Sequence, residues 1–458
     1  MVVSERPRLV IYTADVLGPA MAGSAIRAYR FAQALAPHAD VRLISETQAD
    51  LSSDSFEILR AGGDELLRHI EWSDVLLLQS PLLTWLPEIL AMDTLVVSDL
   101  YNPFILEELQ RDLFLDAPAD VESTSFTVRA IGEMVRYADF MICSSEKQRD
   151  LWMGELMAQG RLNPITYRDD PSLRRLIDVV PFGVDDHPPT LTAPGIKGVV
   201  EGISETDKVL LWGGGIYDWF DPVTLIRAVG VLAPAHPDLK LFFLAKQHAN
   251  PAVGMMKMAD DAIAEADRLG LLGSSVFFNE KWVTHEDRAN YFLDADVGVS
   301  THLEHLETRY SFRTRLLDYL WAGLPIINTS GDAFESVITV NQLGAVVTPG
   351  DVDELAREIE ALVYDDERLA EAAARSAAVA DDFRWAKAVE PLVEFVRHSR
   401  GAADDPRRSA RNRRDAPVGG DAAHIELLTR RIEELESSSS WKLTAPFRKL
   451  AEWKSNGR

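Results

Sequence analysis

The sequence predicts an α/β protein made of two successive parallel-sheet domains followed by a basic tail. Three observations point there. At 458 residues the chain exceeds one hydrophobic core, so two domains of roughly 180–200 residues plus a tail are expected. Short apolar runs ending in polar turns alternate with amphipathic helical stretches, first over residues 8–184 and again from Lys208 onward. Between the two series lies "DDHPPTLTAPGIKG", a Pro- and Gly-rich stretch that reads as a linker.

The elements follow in order. "RLVIYTAD" is a short apolar run suited to a buried parallel strand. A loop of small residues, "VLGPAMAG", leads into "SAIRAYRFAQALAPH", a helix with Ser24 as its expected N-cap and an apolar stripe at Ala28, Phe31, Ala32 and Leu35. "ADVRLIS" completes a βαβ unit, and "SDVLLLQS", "DTLVVSDL", "ADFMICSS" and "IDVVPFGV" extend it. The second series runs through "KVLLWGGG", the helix "DPVTLIRAVGVLAPAH", and the strands "LKLFFLAK", "SVFFNE", "ADVGVST", "PIINT" and "GAVVTPG". Two Rossmann-like domains result, over 1–185 and 186–380, with a helix in 381–398 crossing back between them. Residues 399–458 form a basic tail: a linker to about Gly420 too poor in apolar residues to join a core, then the short amphipathic helix "AHIELLTRRIEELES". Ending the chain after Ser399 is therefore expected to leave the melting temperature nearly unchanged.

Composition excludes several classes. The net charge of -25 argues against nucleic acid as a main partner, since binding a polyanion needs clustered Lys and Arg. From Arg397 to the end, 14 basic and 9 acidic residues leave the tail near +5 and the body near -30. The single Cys143 permits no internal disulfide and no Cys/His zinc pattern. "MVVSERPRLVIYTAD" reads as a strand rather than a signal peptide, and no run of about 18 apolar residues is present. A cytoplasmic protein is expected.

Ligands of open α/β sheets bind beyond the carboxyl ends of the strands, and two such domains make a cleft. Three loops face it. In "LGPAMAGSAIR", Gly18 and Gly23 allow close backbone approach, and Ser24 opens a helix whose amides suit an anion or a hydroxyl cluster; a glycine-requiring turn is the plain alternative. In "WGGGIYDWFDP", Gly213, Gly214 and Gly215 follow a strand and could hold backbone donors toward a phosphate. Neither the dinucleotide fingerprint nor the P-loop is met, and Asp218 and Asp221 suit caps or sugar hydroxyls. The third is "LEHLETRYSFRTRLLDYLWAG", a polar loop with Glu304 and Glu307 and then a helix ending at Gly323. Arg313 and Arg315 stand near that helix's N-terminus, where the macrodipole disfavours cations unless an anion is close. Phosphate matches the guanidinium fork, and ion pairing to Glu304, Glu307 or Asp318 is the alternative.

These loops, in this order, resemble the GT-B fold and within it the retaining glycosyltransferases of family 4. That family's signature is Glu, seven residues, Glu, then Ala-Met-Ala-x-Gly-x-Pro. Set on Gly323 and Pro325, the second glutamate falls on Asp318 and the first on Tyr310. "VVPFGVD" and the segment from Gly331 to Leu369, with Glu335 at an acidic position of the family, are also similar; the likeness covers roughly residues 8–395. The departures are the missing first glutamate, whose work Glu307 or Glu304 would take over, and the missing Arg and Lys after the glycine loop. The family's N-domain histidine also lacks a match, with Gln79 near its place.

The resemblance implies transfer of a sugar from a nucleoside diphosphate sugar, with retention, to a glycan or lipid-linked acceptor in cell-surface polysaccharide synthesis. The nucleotide-sugar is a co-substrate; no cofactor and no metal are implied. Asp318, Glu307 and Arg313 are the expected catalytic residues. Gly213, Gly214, Gly215, Arg313, Arg315, Lys246, Asp318 and Glu335 are expected on the donor side, with Lys281 in reserve, and Gly23, Ser24, Arg27 and Asp99 on the acceptor side. A departing diphosphate gains charge in the transition state, so two guanidiniums would act where charge develops. Front-face attack with the leaving phosphate taking the acceptor proton makes a missing histidine tolerable. Residues 424–458, mixing Trp, Phe, Lys and Arg, would contact a membrane surface or a partner, which places the protein at the inner face of the membrane. A non-catalytic GT-B scaffold subunit is the alternative class, and a GT-B sugar epimerase a third.

Overall fold

A computed structural model describes residues 6–18, 21, 23–115, 119–245, 256–280, 283–284 and 287–407; Lys246, Lys281 and the tail helix lie outside them. Residues up to Pro406 form one compact unit. It contains two wholly parallel sheets. The first has seven strands: β1 (Arg8–Thr13), β2 (Asp40–Ser45), β3 (Glu57–Arg60), β4 (Val75–Leu78), β5 (Leu95–Asp99), β6 (Phe140–Cys143) and β7 (Ile177–Val179), in the order β3-β2-β1-β4-β5-β6-β7. The second has six: β8 (Lys208–Trp212), β9 (Leu239–Phe243), β10 (Val276–Phe278), β11 (Val297–Ser300), β12 (Ile326–Thr329) and β13 (Gly344–Val347), in the order β10-β9-β8-β11-β12-β13.

Central strands such as β4 (VLLL) and β6 (FMIC) are buried at every position, because helices cover both faces of a parallel sheet. β3 is a strand that the sequence reading does not anticipate. It is an edge strand with exposed ends, Glu57 and Arg60, and its two apolar residues are too few to make a pattern. Strand order reverses between β1 and β4 in the first sheet and between β8 and β11 in the second. These are the switch points where loops splay apart and leave a crevice. The loops singled out from sequence follow β1, β8 and β11, so the topology brings all three to the switch points.

Two local expectations change. Ser24 lies inside the first turn of the helix Gly23–Leu35 rather than before it, and its hydroxyl donates to the Asp15 carboxylate. The stretch read as a polar loop after β11 contains a short helix, Leu306–Tyr310. His305 caps it, its ring nitrogen Nδ1 accepting from the Thr308 amide at 3.1 Å.

The chain returns to the first sheet at its C-terminal end. A turn over Asp381–Phe383 leads to a short helix Trp385–Ala388 and then Glu390–His398, where Pro391 in the first turn cannot extend the ladder backward. Trp385 packs on Phe31 and Phe182, and Phe395 stacks on Phe140 at 4.9 Å. The outgoing and returning segments pair where they pass. Val184 donates its amide to Phe383 O at 2.8 Å, and the Trp385 amide donates to Val184 O at 3.1 Å.

The first residues of the expected linker are not free of the body. Arg161 makes an ion pair with Asp404 at 3.0 Å, both side chains nearly buried, and donates to the carbonyls of Val135, Arg136 and Ala138. The Ala402 amide donates to Asp139 at 3.1 Å, and Arg400 meets Asp169. Truncation after Ser399 would leave the Arg161 charge buried without its carboxylate, and is expected to cost roughly 2–4 kcal/mol. Ending the chain after Pro406 keeps the pair. Urea melts of the two truncations check this; equal midpoints would restore the expectation from sequence.

Candidate functional site

The glycine loop after β8 is the floor of the site. A Cβ on Gly213 would lie 2.8 Å from the rings of Phe292 and Tyr319, and Gly214 has φ +147, so both positions require glycine. Tyr319 fixes this floor. Its hydroxyl donates toward the carbonyls of Leu211 (2.9 Å) and Val299 (2.8 Å), and accepts the Gly213 amide at 2.8 Å. Burial pushes its phenol up to about 12. The loop then turns through a stacked pair, Tyr217 and Trp219, with ring centroids 5.0 Å apart. Asp218 accepts the Met258 amide at the start of the helix Lys257–Arg268, and Asp221 caps the helix Pro222–Leu232 through the Thr224 amide. Both aspartates thus hold helix starts, the capping alternative of the two left open.

The two arginines of the third loop part company. Arg313, at the N-cap of the helix Thr314–Trp321, grips Glu307 with both Nη atoms at 2.8 and 2.6 Å. Glu307 is 1% exposed, so the pair is sealed, and its two charges answer each other. Among the described residues no carboxylate meets Arg315. Its Nη2 donates to Gly215 O at 2.8 Å, its Nη1 is buried without a partner, and its guanidinium lies 4.3 Å from the Trp212 ring centroid and 4.1 Å from that of Phe220. Burial lowers it to about 10, which leaves it charged at neutral pH. A buried cation faced by aromatic rings, a carbonyl and a glycine loop favours an anion nearby.

Asp318 lies one turn further along and is about a quarter exposed, in an ion pair with Arg288 Nη1 at 2.9 Å. Glu335 accepts the Gly331 amide at 2.9 Å and braces the turn after β12. Beside it Asp332 is fully buried. Burial opposes its charge, yet His302 and Asn328 hold its carboxyl below the usual range. His305 is neutral: Nε2–H donates to Trp219 O at 3.1 Å, Nδ1 accepts from Thr308, and burial lowers its pKa.

The first domain carries the residues expected on the acceptor side. Arg27 and Asp99, expected on the acceptor side, are both buried and bound to each other at 2.7 and 3.0 Å. Arg27 also donates to the carbonyls of Val180 and Pro181, and Gln79 donates to Asp99 at 3.0 Å. Their donors and acceptors are engaged within the domain, which leaves Gly23 and Ser24 at the helix start. Sequence reasoning missed two residues at the start of the helix Glu146–Ala158. Lys147 donates to the carbonyls of Gly331 and Asp332, and Gln148 bridges the carbonyls of Tyr101 and Tyr310 at 2.7 and 2.8 Å. A lysine and a glutamine on an ordinary helix carry no signal for such a contact.

Glu107 was missed as well. It stands in the first turn of the helix Phe104–Phe114, whose Phe114 ring lies under Lys257 of the second domain at 4.8 Å. Burial, with the Glu307 charge adding to it and Arg313 opposing, raises the Glu107 carboxyl to about 7. The sign follows from linkage. The folded protein keeps a proton that the unfolded chain releases near 4.5, so the stability Glu107 supports is present below that value and is lost as pH rises toward 7. Glu107→Gln is therefore expected to stabilise by about 1–2 kcal/mol at about pH 8 and to change little at about pH 5. Denaturant melts at the two pH values check it; equal gains at both would show that the carboxyl does not titrate this way.

Comparison with known proteins bears on the fold and the second domain. Residues 208–365, from β8 to the N-cap of the helix Asp366–Ala380, match the family model described as glycosyl transferases group 1. No curated protein matches the sequence. Among solved structures, sucrose-phosphate synthase from Thermosynechococcus elongatus superposes with TM-score 0.61 at 14% identity, over 86% of this chain and 99% of that one. HepE of Anabaena, solved in complex with UDP-glucose, gives TM-score 0.60 at 14% identity over 85% and 99%. WaaG, a glycosyltransferase involved in lipopolysaccharide biosynthesis, gives 0.57 at 15% over 85% and 99%. At such identities the likeness carries the fold alone, and the fold is GT-B. No helix among the described residues is long and apolar enough to cross a membrane.

Proposed function

We propose that the protein is a retaining glycosyltransferase that takes its sugar from a nucleoside diphosphate sugar. The observation that carries this reading is Arg315: a buried guanidinium that among the described residues has no carboxylate and one Nη without a partner, set against Gly213–Gly215 at the switch point of the second sheet. The group 1 domain over 208–365 supports the same reading. In it, Arg315 holds the diphosphate over the glycine loop, whose Gly213 and Gly214 amides are engaged by Tyr319 and Trp212, Asp318 and Glu335 meet donor hydroxyls, and the sealed Arg313–Glu307 pair braces the start of the helix that carries Arg315 and Asp318. As the C1–phosphate bond breaks, the diphosphate gains charge next to Arg315, which stabilises the leaving group. The acceptor hydroxyl attacks on the same face and its proton passes to the departing phosphate oxygen, so no enzyme base is needed. Gly23 and Ser24 line the acceptor side. The acceptor is a glycan or a lipid-linked glycan of the cell surface, and no metal is required.

The test is a panel of nucleotide-sugars, UDP-glucose first, scored by thermal stabilisation and then by slow donor hydrolysis. Stabilisation with release of the nucleoside diphosphate supports an enzyme. One observation favours a binding subunit instead: Glu307, the substitute for the missing first motif glutamate, has both oxygens engaged by Arg313. Stabilisation by nucleotide-sugars without hydrolysis or transfer would favour that reading.

A further inference from the structure

Arg288 opens the helix Arg288–Leu293 in the second domain, again a cation at a helix N-terminus. Its guanidinium has two carboxylate partners from distant parts of the chain. Nη1 meets Asp318 at 2.9 Å, and Nη2 meets Asp185 at 3.1 Å. Asp185 belongs to the outgoing crossing between the domains, and its other oxygen is taken by Arg30 on the helix Gly23–Leu35. The four side chains are 19–26% exposed, so the contacts are partly shielded from water and from salt. The face of Arg288 lies 4.9 Å from the ring centroid of Trp321, and Trp321 donates to the carbonyl of His187 in the same crossing at 2.8 Å. The returning segment joins in, with Arg384 donating to Asp186 O and the Ala386 amide to the Asp186 carboxylate at 3.2 Å.

The helix that carries Asp318 is therefore fastened twice to the hinge: by Arg288 to Asp185 and by Trp321 to His187. We infer that Arg288 is a positioning residue that ties the donor-side carboxylate Asp318 to the interdomain hinge. The inference rests on the donor reading of Asp318 given above. Donor hydroxyls that engage Asp318 must share it with Arg288, and any shift of Arg288 is felt at Asp185 and Arg30. Occupancy of the donor site is thus reported to the helix that carries Gly23 and Ser24 on the acceptor side. The Nε of Arg288, buried without a partner, marks a guanidinium held in place by its two outer nitrogens.

The experiment is a double-mutant cycle read by affinity. UDP, GDP and ADP are first ranked by thermal shift, and the tightest is titrated calorimetrically into the parent, Arg288→Ala, Asp318→Ala and the double variant. Each single change should weaken binding about tenfold, and the double variant should bind no worse than the weaker single one, because both remove one device. Arg288→Lys, which keeps the charge but can serve only one carboxylate well, should recover part of the affinity and guards against a misfolded alanine variant. Small-angle scattering adds a readout that loss of packing would not produce: nucleotide should change the radius of gyration of the parent and not that of Arg288→Ala. A multiplicative, roughly hundredfold loss in the double variant, or unchanged affinity in Arg288→Ala, overturns the coupling alone. If Asp318→Ala binds as the parent does, the donor reading of Asp318 falls, and the coupling falls with it.

Discussion

Replacing Arg27 with methionine should destabilise the protein by about 3–5 kcal/mol, because it strips a fully buried carboxylate of its cation. Neither Arg27 nor Asp99 has any side-chain exposure. The guanidinium ties Asp99 at the end of β5 to the carbonyls of Val180 and Pro181 beyond β7, with the rings of Phe31 and Tyr101 at 4.5 and 4.9 Å. In the variant, Asp99 would keep the Gln79 amide and face an apolar surround. Adding Asp99→Leu to Arg27→Met should recover more than half of the loss, since the desolvated charge leaves with it. Urea denaturation of parent, singles and double measures all three quantities. A loss under about 1 kcal/mol for Arg27→Met would mean that water reaches Asp99 and the pair is not sealed.

Arg315→Met should act in the opposite sense on stability and strongly on binding. Removing a buried cation that has no carboxylate among the described residues takes away a desolvation cost and leaves the Gly215 carbonyl with one donor, Trp212 Nε1 at 3.2 Å, in place of two. The melting temperature of the free protein is expected to stay level or rise. Affinity for a nucleoside diphosphate should fall about a hundredfold, while affinity for the corresponding nucleoside changes little. Arg313→Met provides the contrast. It removes half of the sealed Arg313–Glu307 pair, so it should lower the melting temperature sharply. If Arg315→Met binds the diphosphate as the parent does, the anion is met elsewhere; Lys246 and Lys281, outside the described residues, are the next candidates.

What could be read in advance divides along physical lines. Parallel strands buried on both faces leave continuous apolar runs, so twelve of the thirteen strands coincide with runs visible in the sequence, while the half-exposed β3 does not. The glycine loop and the two arginines could be found because they break local rules, glycines after a strand and cations at a helix start. Their division of labour could not. Whether Arg313 or Arg315 takes Glu307 depends on which side of the helix start faces the Leu306–Tyr310 turn, and that turn was read as loop. Arg27–Asp99 and Arg288–Asp318 are contacts between separate elements, with no mark in either local segment. Arg288 breaks the same rule as Arg313 and Arg315, a cation at a helix start. Glu107 has no such mark, for its raised pKa comes from where its helix lies.

The paired crossings of the chain have an evolutionary reading. Val184 accepts the Trp385 amide and donates its own to the Phe383 carbonyl where the polypeptide leaves the first sheet's domain and where it comes back. Everything between them can be regarded as a cassette inserted at one point into a host that otherwise runs from β1 to the helix Glu390–His398. Recombination that swaps the cassette cuts the chain at two points, and they lie side by side. A lineage can thus exchange the half that carries the glycine loop and the arginines while the half that carries Gly23 and Ser24 keeps its core, with Arg30 to Asp185, Lys147 to Gly331 and Gln148 to Tyr310 as the seam that must be matched again.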